Sequence, residues 1–444
     1  MNLAASSYNS RGSQVILLIA AVACYGYFAV LVPWHYRHDN DFKHIYLGIQ
    51  ALYDESEPYS LVSLRLQAAL HGLRGASLNP YVYLPFTGLS LGFLKPLSFP
   101  LASATWYVLN EIFMLLTTAF LAKAFWPRAA TTAFSILLLC LAFNHPLVRT
   151  LTAGQLNCAL LLMLTGSFCL LGRGRSTWAG VLIGYAAMFK LFPALLGAHL
   201  AAWRRWKEFC AMAGTCVLLL VGSVLVVGWK VHMAFIPMLR QMGYGRSTWE
   251  EYDQTYWRDP SNQGLNSLFS HLMVKTDATT PWILSSQSAA NLATIASVLV
   301  LAGCWIWAQV RSRRSTGFVS CNGSMISQEG SYMATILLAL LIPSLMWDHY
   351  LLIAFLPVVW LWKQSIAQGS WGVFGTVTAA WVLVSMPWRF DSPMFTHGTL
   401  LPLMSMKLFP TLVIYGLTLC FTGVWNTGNG ERPGMNSETL EKIN

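Results

Sequence analysis

Charged side chains are scarce in this sequence of 444 residues. Only 10% of the residues are charged, whereas 55% are hydrophobic, and the chain contains 19 Trp and 23 Phe residues. A soluble chain of this length needs far more polar surface to cover its fold. The scarcity of charge therefore excludes an ordinary soluble protein. Long apolar runs recur along the whole chain and predict an all-α polytopic membrane protein.

Paired metal-binding cysteines and concentrated basic patches are also lacking. The nine cysteines include no C-x-x-C pair, and most of them lie inside apolar runs, so neither a disulfide framework nor a metal cage is predicted. The net charge of +10 comes from basic residues scattered in short loops, as membrane topology requires. This placement does not favour a nucleic-acid partner.

The apolar runs predict about 12 membrane segments, some of them short or re-entrant. The candidate spans are 15–33, 102–122, 131–145, 156–172, 179–190, 193–203, 209–229, 287–310, 332–347, 349–362, 370–388 and 408–425. The segments 179–190 and 193–203 are each too short to cross alone, because a helix needs about 20 residues. Basic residues precede and follow this pair, so a hairpin turning at "MFKLFP", with Pro193 as the breaker, places both basic clusters inside.

This topology predicts a single transmembrane domain over residues 1–425, followed by a flexible cytoplasmic tail over 426–444. Two long loops, 34–101 and 230–286, lie on the extracytoplasmic side. Within the first loop, residues 83–100 contain three prolines and one lysine, and we interpret them as a re-entrant or interfacial element. If this segment spans instead, the topology after it changes.

Ionisable and amide side chains recur at several places that this topology puts on the outer face. Such groups are costly at a membrane, which makes them candidates for function. The candidates are Asp39, Asp41, Arg149, Gln155, Asn157, Lys190, Asn262, Gln263, Asp348 and His349. Most of them also have a structural interpretation. Asp39 and Asp41 can be solvated or helix-capping residues, Lys190 a snorkelling side chain, Asp348 and His349 a hydrogen-bonded pair, and Gln155 and Asn157 helix caps.

The combination of a carboxylate with cations at a membrane suits transfer from a lipid-linked phosphate donor. A carboxylate can act as general base on an acceptor hydroxyl, while a cation neutralises the leaving phosphate. Lys190 and Arg149 are the first candidate cations, with Arg246 and Arg258 as further ones. A divalent metal, Mg²⁺ or Mn²⁺, is compatible with this chemistry, although no ligand spacing identifies a site. From the residues alone, a transporter and a polymer ligase stay open as alternatives.

Several motifs in order resemble glycosyltransferase family 87, a bacterial family of the GT-C class. The first is "DFKHIYLGIQALYDESEPY", which is similar to the family's D-F-x-x-Y opening with its closing P-Y. The others are "YVYLPF", "GQLNCALLL", "AGVLIGYAAMFKLFPALL", "SNQGLNSLFSHL" and "SLMWDHY". Together they cover about residues 38–355, and their order makes the resemblance more specific than any single motif.

The resemblance implies a GT-C-like helical bundle. It also implies transfer of a sugar, with mannose as the leading candidate, from a polyprenyl-phosphate donor to a glycan or glycolipid acceptor. The active site would face the extracytoplasmic side of the cell (inner) membrane. Asp41 matches the acidic residue taken as the base, with Asp39 as runner-up, and Lys190 matches a lysine assigned to the donor phosphate. Tyr46 and Tyr59, two of the three tyrosines in the first motif, are further expected substrate-binding residues. The alternatives are a flippase for lipid-linked oligosaccharides and an O-antigen-type ligase or polymerase, the latter disfavoured by the acidic first loop.

Overall fold

The computed structural model describes residues 3–245, 259–275, 279–283, 285–316, 321–390 and 392–423. Most of these residues are helical. Within the described residues, the backbone pairing of the β type is an isolated antiparallel bridge between Asn262 and Trp347. The all-α fold class is therefore confirmed. The expected tail at 426–444 and part of the second long loop, including Arg246 and Arg258, lie outside the described residues.

The first half of the chain alternates long apolar helices with short buried ones. Its helices are α1 (Leu3–Tyr25), α2 (Val32–His35), α3 (Asn40–Tyr53), α4 (Leu61–Leu70), α5 (Pro85–Ser90), α6 (Phe99–Phe125), α7 (Ala130–Ala142), α8 (His145–Ala153), α9 (Asn157–Gly172), α10 (Ser176–Phe189), α11 (Leu196–Ala202), α12 (Trp206–Val227) and α13 (Trp229–Gln241). A π-helical turn over Gly26–Leu31 joins α1 to α2.

The second half continues with α14 (Leu265–Met273), α15 (Gln287–Thr316), α16 (Cys321–Leu341), α17 (Phe355–Ala367), α18 (Trp371–Ser385) and α19 (Leu408–Gly423). Short 3₁₀ segments connect several helices. They cover Gly92–Leu94, Pro127–Ala129, Phe192–Leu195, Asp348–Ala354, Pro393–Phe395 and Gly398–Ser405.

Within the described residues, five helices are long and apolar enough to cross a membrane, and seven segments qualify if each of two bent helix pairs is one span. The five are Arg11–His35, Phe99–Phe125, Trp206–Val227, Gln287–Arg313 and Asp348–Ala367. The bent pairs are Pro127–Ala142 with His145–Ala153, and Gly398–Ser405 with Leu408–Thr422. Shorter apolar helices of 10–17 residues account for further predicted segments. The chain is thus a multi-pass membrane protein, and the number of about 12 segments stays a prediction.

The predicted hairpin after α10 is confirmed by the packing of α10 on α12. A Cβ placed on Gly180 would lie 2.3 Å from the carbonyl oxygen of Glu208, and one on Gly184 would lie 2.6 Å from that of Met212. From the first contact to the second, the residue number increases by four in both helices, so α10 and α12 run parallel. The chain between them must therefore return, and small residues at this spacing let the two backbones approach closely.

The predicted first loop, 34–101, is largely folded into the protein. Most side chains of α3 are buried, from Phe42 to Leu52, because α3 packs against α4, α5 and α6. The segment 83–100 forms α5 and a 3₁₀ turn, and the hydroxyl of Thr87 donates to the carbonyl of Phe189 at 3.0 Å. Protein therefore covers α5 at the end of α10, which is the condition expected for a re-entrant element.

Candidate active site

Asp41 lines a cavity of about 580 Å³, whereas Asp39 does not. The charged and imidazole groups on the cavity wall, from helices far apart in the chain, are His38, Asp41, His44, Arg149, Lys190, Asp259, His349 and Arg389. Phe189, Phe192, Phe235 and Leu239 give the cavity an apolar side. A concave site with a few convergent polar groups is the usual form of a substrate pocket.

Asp39 is buried in a structural role. It precedes α3 in the left-handed region (φ 51°), and its carboxylate is bound by Nε of Arg37 at 2.9 Å and by the hydroxyl of Ser103 at 2.7 Å. Its backbone N–H also donates to the carbonyl of Thr152 at 3.0 Å. These contacts hold the start of α3 against α6 and α8, and they occupy the carboxylate away from the cavity.

The carboxylate of Asp41 is held by neutral amides. Nε2 of Gln155 donates to Oδ2 of Asp41 at 2.8 Å, and Nδ2 of Asn79 donates to Oδ1 at 3.4 Å. The hydroxyl of Tyr83 donates to Oε1 of Gln155 at 3.2 Å, which turns the amide NH₂ of Gln155 towards Asp41. These donors orient the carboxylate without the strong neutralisation that an ion pair brings.

Gly154 brings Gln155 close enough to reach Asp41. Gly154 ends α8 in the left-handed region (φ 72°), and a Cβ there would lie 2.5 Å from Cβ of Phe42. A glycine is needed for both reasons, because only glycine adopts this φ freely and leaves room for α3. The carbonyl of Gly154 also accepts from the indole N–H of Trp106 at 3.0 Å. The "GQLN" segment is thereby fixed between α3 and α6.

Lys190 enters the cavity where α10 ends. Its backbone is extended (φ −155°, ψ 134°), and its Nζ lies 3.6 Å from the ring centroid of Tyr350 and 3.4 Å from Oδ1 of Asn157. Nδ2 of Asn157 donates to the carbonyl of His349 at 3.1 Å, so the amide oxygen faces Lys190. Burial lowers the pKa of Lys190 to about 7, against the opposing effect of Asp41. An anion beside Lys190 would favour its charged form.

Asp348 lies behind the cavity wall among several basic groups. Its carboxylate lies 3.4 Å from Nε of Arg149, 3.7 Å from Nδ1 of His349 and 3.8 Å from Nδ1 of His145. Lys407 approaches the same carboxylate at 4.0 Å. Of this group, Arg149 and His349 line the cavity and Asp348 does not. Asp348 therefore forms an ion pair with Arg149 from outside the cavity lining.

Five further predicted substrate-binding residues do not line the cavity: Asn157, described above, and Tyr46, Tyr59, Asn262 and Gln263. Tyr46 is fully buried and donates to the carbonyl of Leu97 at 2.8 Å, while Tyr59 donates to the carbonyl of Tyr83 at 2.8 Å. Both hydroxyls therefore hold backbone segments together.

Asn262 and Gln263 also hold backbone. Oδ1 of Asn262 accepts from the N–H of Met346 at 3.0 Å, and its Nδ2 donates to the carbonyl of Ser344 at 3.1 Å. Oε1 of Gln263 accepts from the N–H of Lys407 at 2.9 Å. The two amides thus join the segment before α14 to the segments that precede α17 and α19, and they shape the site from outside the cavity.

The structure adds His44, Asn79, Tyr83 and Arg389 to the site. His44 is buried next to Asp41 and stacks on Tyr83, with ring centroids 5.8 Å apart and planes 8° from parallel. Burial lowers the pKa of His44, with Asp41 opposing. His44 and Tyr83 fall inside the motifs quoted above, and their position there is the sequence signal that could have identified them. Asn79 and Arg389 lie outside those motifs.

The part of the chain that the structure describes contains no group of three or more His, Cys, Asp or Glu side chains that could hold a metal ion. A divalent metal, Mg²⁺ or Mn²⁺, stays compatible with the chemistry, because Mg²⁺ is usually bound by one or two carboxylates together with substrate phosphates.

Comparison with known proteins finds one family and one distant relative. The family description "Glycosyltransferase family 87" matches residues 81–327, more than half of the chain. A polyprenol-phosphate-mannose-dependent alpha-(1-2)-phosphatidylinositol pentamannoside mannosyltransferase of Mycolicibacterium smegmatis is 32% identical over 97 residues, which are 22% of this chain and 23% of the relative. The chain thus spans less than a quarter of that relative's length. No solved structure matches the chain.

Proposed function

The chain belongs to glycosyltransferase family 87 and is a membrane glycosyltransferase, and from this premise we propose its donor, its acceptor and the roles of its site residues. The donor is a polyprenyl-phosphate sugar, with mannose as the first sugar to test. The acceptor is a glycan or glycolipid hydroxyl on the extracytoplasmic face of the cell (inner) membrane. The name of the distant mannosyltransferase relative supports this donor class.

One observation carries the proposal: an anionic carboxylate held by neutral amides lines the same cavity as a buried lysine. Among the described residues, no cation lies within 4.0 Å of the Asp41 carboxylate, which is held instead by the amides of Gln155 and Asn79. Lys190 and Arg149 supply positive charge on the same wall. A base and a phosphate-binding cation in one enclosed space are the two requirements for sugar transfer from a phosphodiester.

The reaction is most simply a direct displacement. Asp41 removes the proton from the acceptor hydroxyl, and that oxygen forms a bond to the anomeric carbon of the donor sugar. The bond between the anomeric carbon and the phosphate oxygen breaks, and its electron pair leaves with the polyprenyl phosphate. Lys190 and Arg149 stabilise the negative charge that develops on this leaving group. The configuration at the anomeric carbon inverts.

The apolar side of the cavity suits the lipid part of the donor. Phe189 and Phe192 flank Lys190 in the chain, and Phe235 and Leu239 of α13 face the same cavity. A prenyl chain along this side would bring its phosphate to the ammonium of Lys190. The site therefore combines an apolar approach with a cationic end.

The test is transfer by the purified protein in detergent or nanodiscs. Radiolabelled polyprenyl-phosphate mannose is incubated with an acceptor extract, and label in a new glycosidic product is counted. Asp41→Asn is the matched control, because it keeps the shape of the side chain and removes the base. The expected result is label transfer by the wild type and none by the variant.

Two other outcomes would contradict the proposal. Movement of a lipid-linked oligosaccharide across the bilayer without a new bond would favour a flippase. Transfer of a whole preassembled glycan from a diphosphate lipid would favour a ligase or polymerase.

A further inference from the structure

Lys407 is a buried cation that the proposed mechanism does not use. Its side chain is 2% exposed, and it lies at the break between the 3₁₀ segment Gly398–Ser405 and α19, where the chain bends by 59°. A buried ammonium is costly unless partners compensate for its lost hydration. The partners of Lys407 therefore indicate why a charge stands at this position.

Those partners join both bent helix pairs. Nζ of Lys407 lies 3.2 Å from Nδ1 of His145, the first residue of α8, and α8 follows the other break of 69°. Nζ also lies 4.0 Å from Oδ2 of Asp348. The backbone N–H of Lys407 donates to Oε1 of Gln263, which fixes the lysine at the break.

The two carboxylate oxygens of Asp348 face different cations. Oδ2 faces Lys407, while Oδ1 lies 3.4 Å from Nε of Arg149. The side chain of Asp348 is only 6% exposed, so water screens these interactions weakly. One carboxylate is thus shared between a lysine outside the cavity lining and an arginine on it.

We propose that Lys407 is a positioning residue for donor recognition: it occupies one oxygen of Asp348, so that Asp348 holds Arg149 through Nε alone. The terminal guanidinium nitrogens of Arg149 are then left for the donor phosphate. The inference rests on the proposed function, in which Arg149 meets that phosphate. Without Lys407, both oxygens of the Asp348 carboxylate would pair with the guanidinium of Arg149. This bidentate pair would withdraw Arg149 from the cavity.

The experiment is a rescue by a second substitution. Lys407→Met in the full-length protein should raise the KM for undecaprenyl-phosphate mannose by about tenfold, the effect of weakening one charge-assisted contact, and leave the KM for the acceptor unchanged. Adding Asp348→Asn to Lys407→Met should lower the donor KM again, to a value between those of the single variant and the wild type, because the carboxylate that captures Arg149 is gone and the ion pair that holds its Nε is gone with it. Lys407→Arg should resemble the wild type.

Lys95→Met is the matched control. Lys95 pairs with Asp54 at 2.9 Å but does not line the cavity, so its loss should not change the donor KM. If Lys407→Met does not fold, Lys407→Gln removes the same charge and carries the same prediction.

An unchanged donor KM in the charge-removing variant would overturn the inference, and so would a double variant no better than the single one. Failure of the proposed function is a separate result. It would appear in the wild type itself, as no binding or use of undecaprenyl-phosphate mannose.

Discussion

Nε2 of Gln155 donates a hydrogen bond of 2.8 Å to Oδ2 of Asp41, across 114 residues of sequence. This contact distinguishes the two aspartates at the start of α3. Asp41 is oriented by an amide and lines the cavity, whereas Asp39 is bound by Arg37 and Ser103 outside it. Among the described residues Asp41 has no ion pair, and its carboxylate is therefore the one suited to accept a proton.

Substitution of Gln155 tests this orientation. Gln155→Leu keeps the size of the side chain and removes the donor, so we expect kcat to fall by about 100-fold, the usual effect of a misplaced catalytic group. Initial rates at saturating donor and acceptor measure it. Tyr83→Phe removes only the hydroxyl that orients Gln155 and should give a smaller loss in the same direction. Full activity of Gln155→Leu would contradict the role of this contact.

The two aspartates should respond differently to the same substitution. Asp41→Asn should abolish transfer and leave the melting temperature of the purified protein nearly unchanged. Asp39→Asn removes the charge paired with Arg37 and should destabilise the fold by about 1–3 kcal/mol, while the activity per folded molecule is retained. Thermal unfolding and specific activity, measured on the same preparations, separate the two effects. The reverse pattern would make Asp39 the base.

The lowered pKa of Lys190 predicts that donor use depends on pH. Burial lowers the pKa of Lys190 to about 7, so the donor-free protein carries the ammonium below this pH and loses it as the pH rises. Since kcat/KM reports groups of the free enzyme, its value for the donor should fall by about tenfold per pH unit above 7. Lys190→Arg keeps a charge throughout this range and should move the falling limb to higher pH. A limb that stays at the same pH in Lys190→Arg would assign it to another group.

Gly154 offers a test of the close approach between α8 and α3. Gly154→Ala meets Phe42 and also strains a positive φ, so it should destabilise the protein by about 2–5 kcal/mol and lower activity. Gly174→Ala is the matched control, since Gly174 has φ 70° but nothing within 4 Å of an added Cβ. It should show only the backbone strain, about 1 kcal/mol, with normal kcat. Equal effects of the two substitutions would contradict the packing role.

Tyr46 and Tyr59 should prove structural. Tyr46→Phe and Tyr59→Phe each remove a hydrogen bond to a backbone carbonyl, and Tyr46→Phe also removes the hydrogen bond with Nδ1 of His71, so about 1–2 kcal/mol of stability should be lost. The KM values for donor and acceptor should stay within about twofold, because neither side chain lines the cavity. A large rise in either KM would return these tyrosines to the substrate site.

Much of the membrane framework could be predicted from the sequence, because hydropathy and basic flanks act locally. The hairpin after α10 follows from two basic clusters that a single crossing would have separated, and the parallel packing of α10 and α12 confirms it. The first loop was less predictable. Its sequence carries polar residues typical of a loop, yet α3 is buried because neighbouring helices cover it.

The site itself was predictable in its residues more than in their roles. The motifs contain Asp41, Gln155, Asn157 and Lys190, which the fold brings together. Nothing local separates Asp41 from Asp39, since the difference depends on Arg37 and Ser103 capturing one of them. Likewise, the pairing of Lys407 with Asp348 joins positions 59 residues apart at a helix break, and no sequence pattern anticipates it.

Gln155 and Asn157 lie two residues apart in the chain, and each holds one reactive group of the cavity. Gln155 fixes Asp41, and Asn157 accepts from Lys190. The separation between the base and the cation is therefore set by the backbone of a single turn at the start of α9. A substitution that shifts this turn must move both groups at once. Acceptor activation and donor binding cannot be adjusted independently there, so selection for a new substrate would act on the side chains around this turn and leave the turn itself in place.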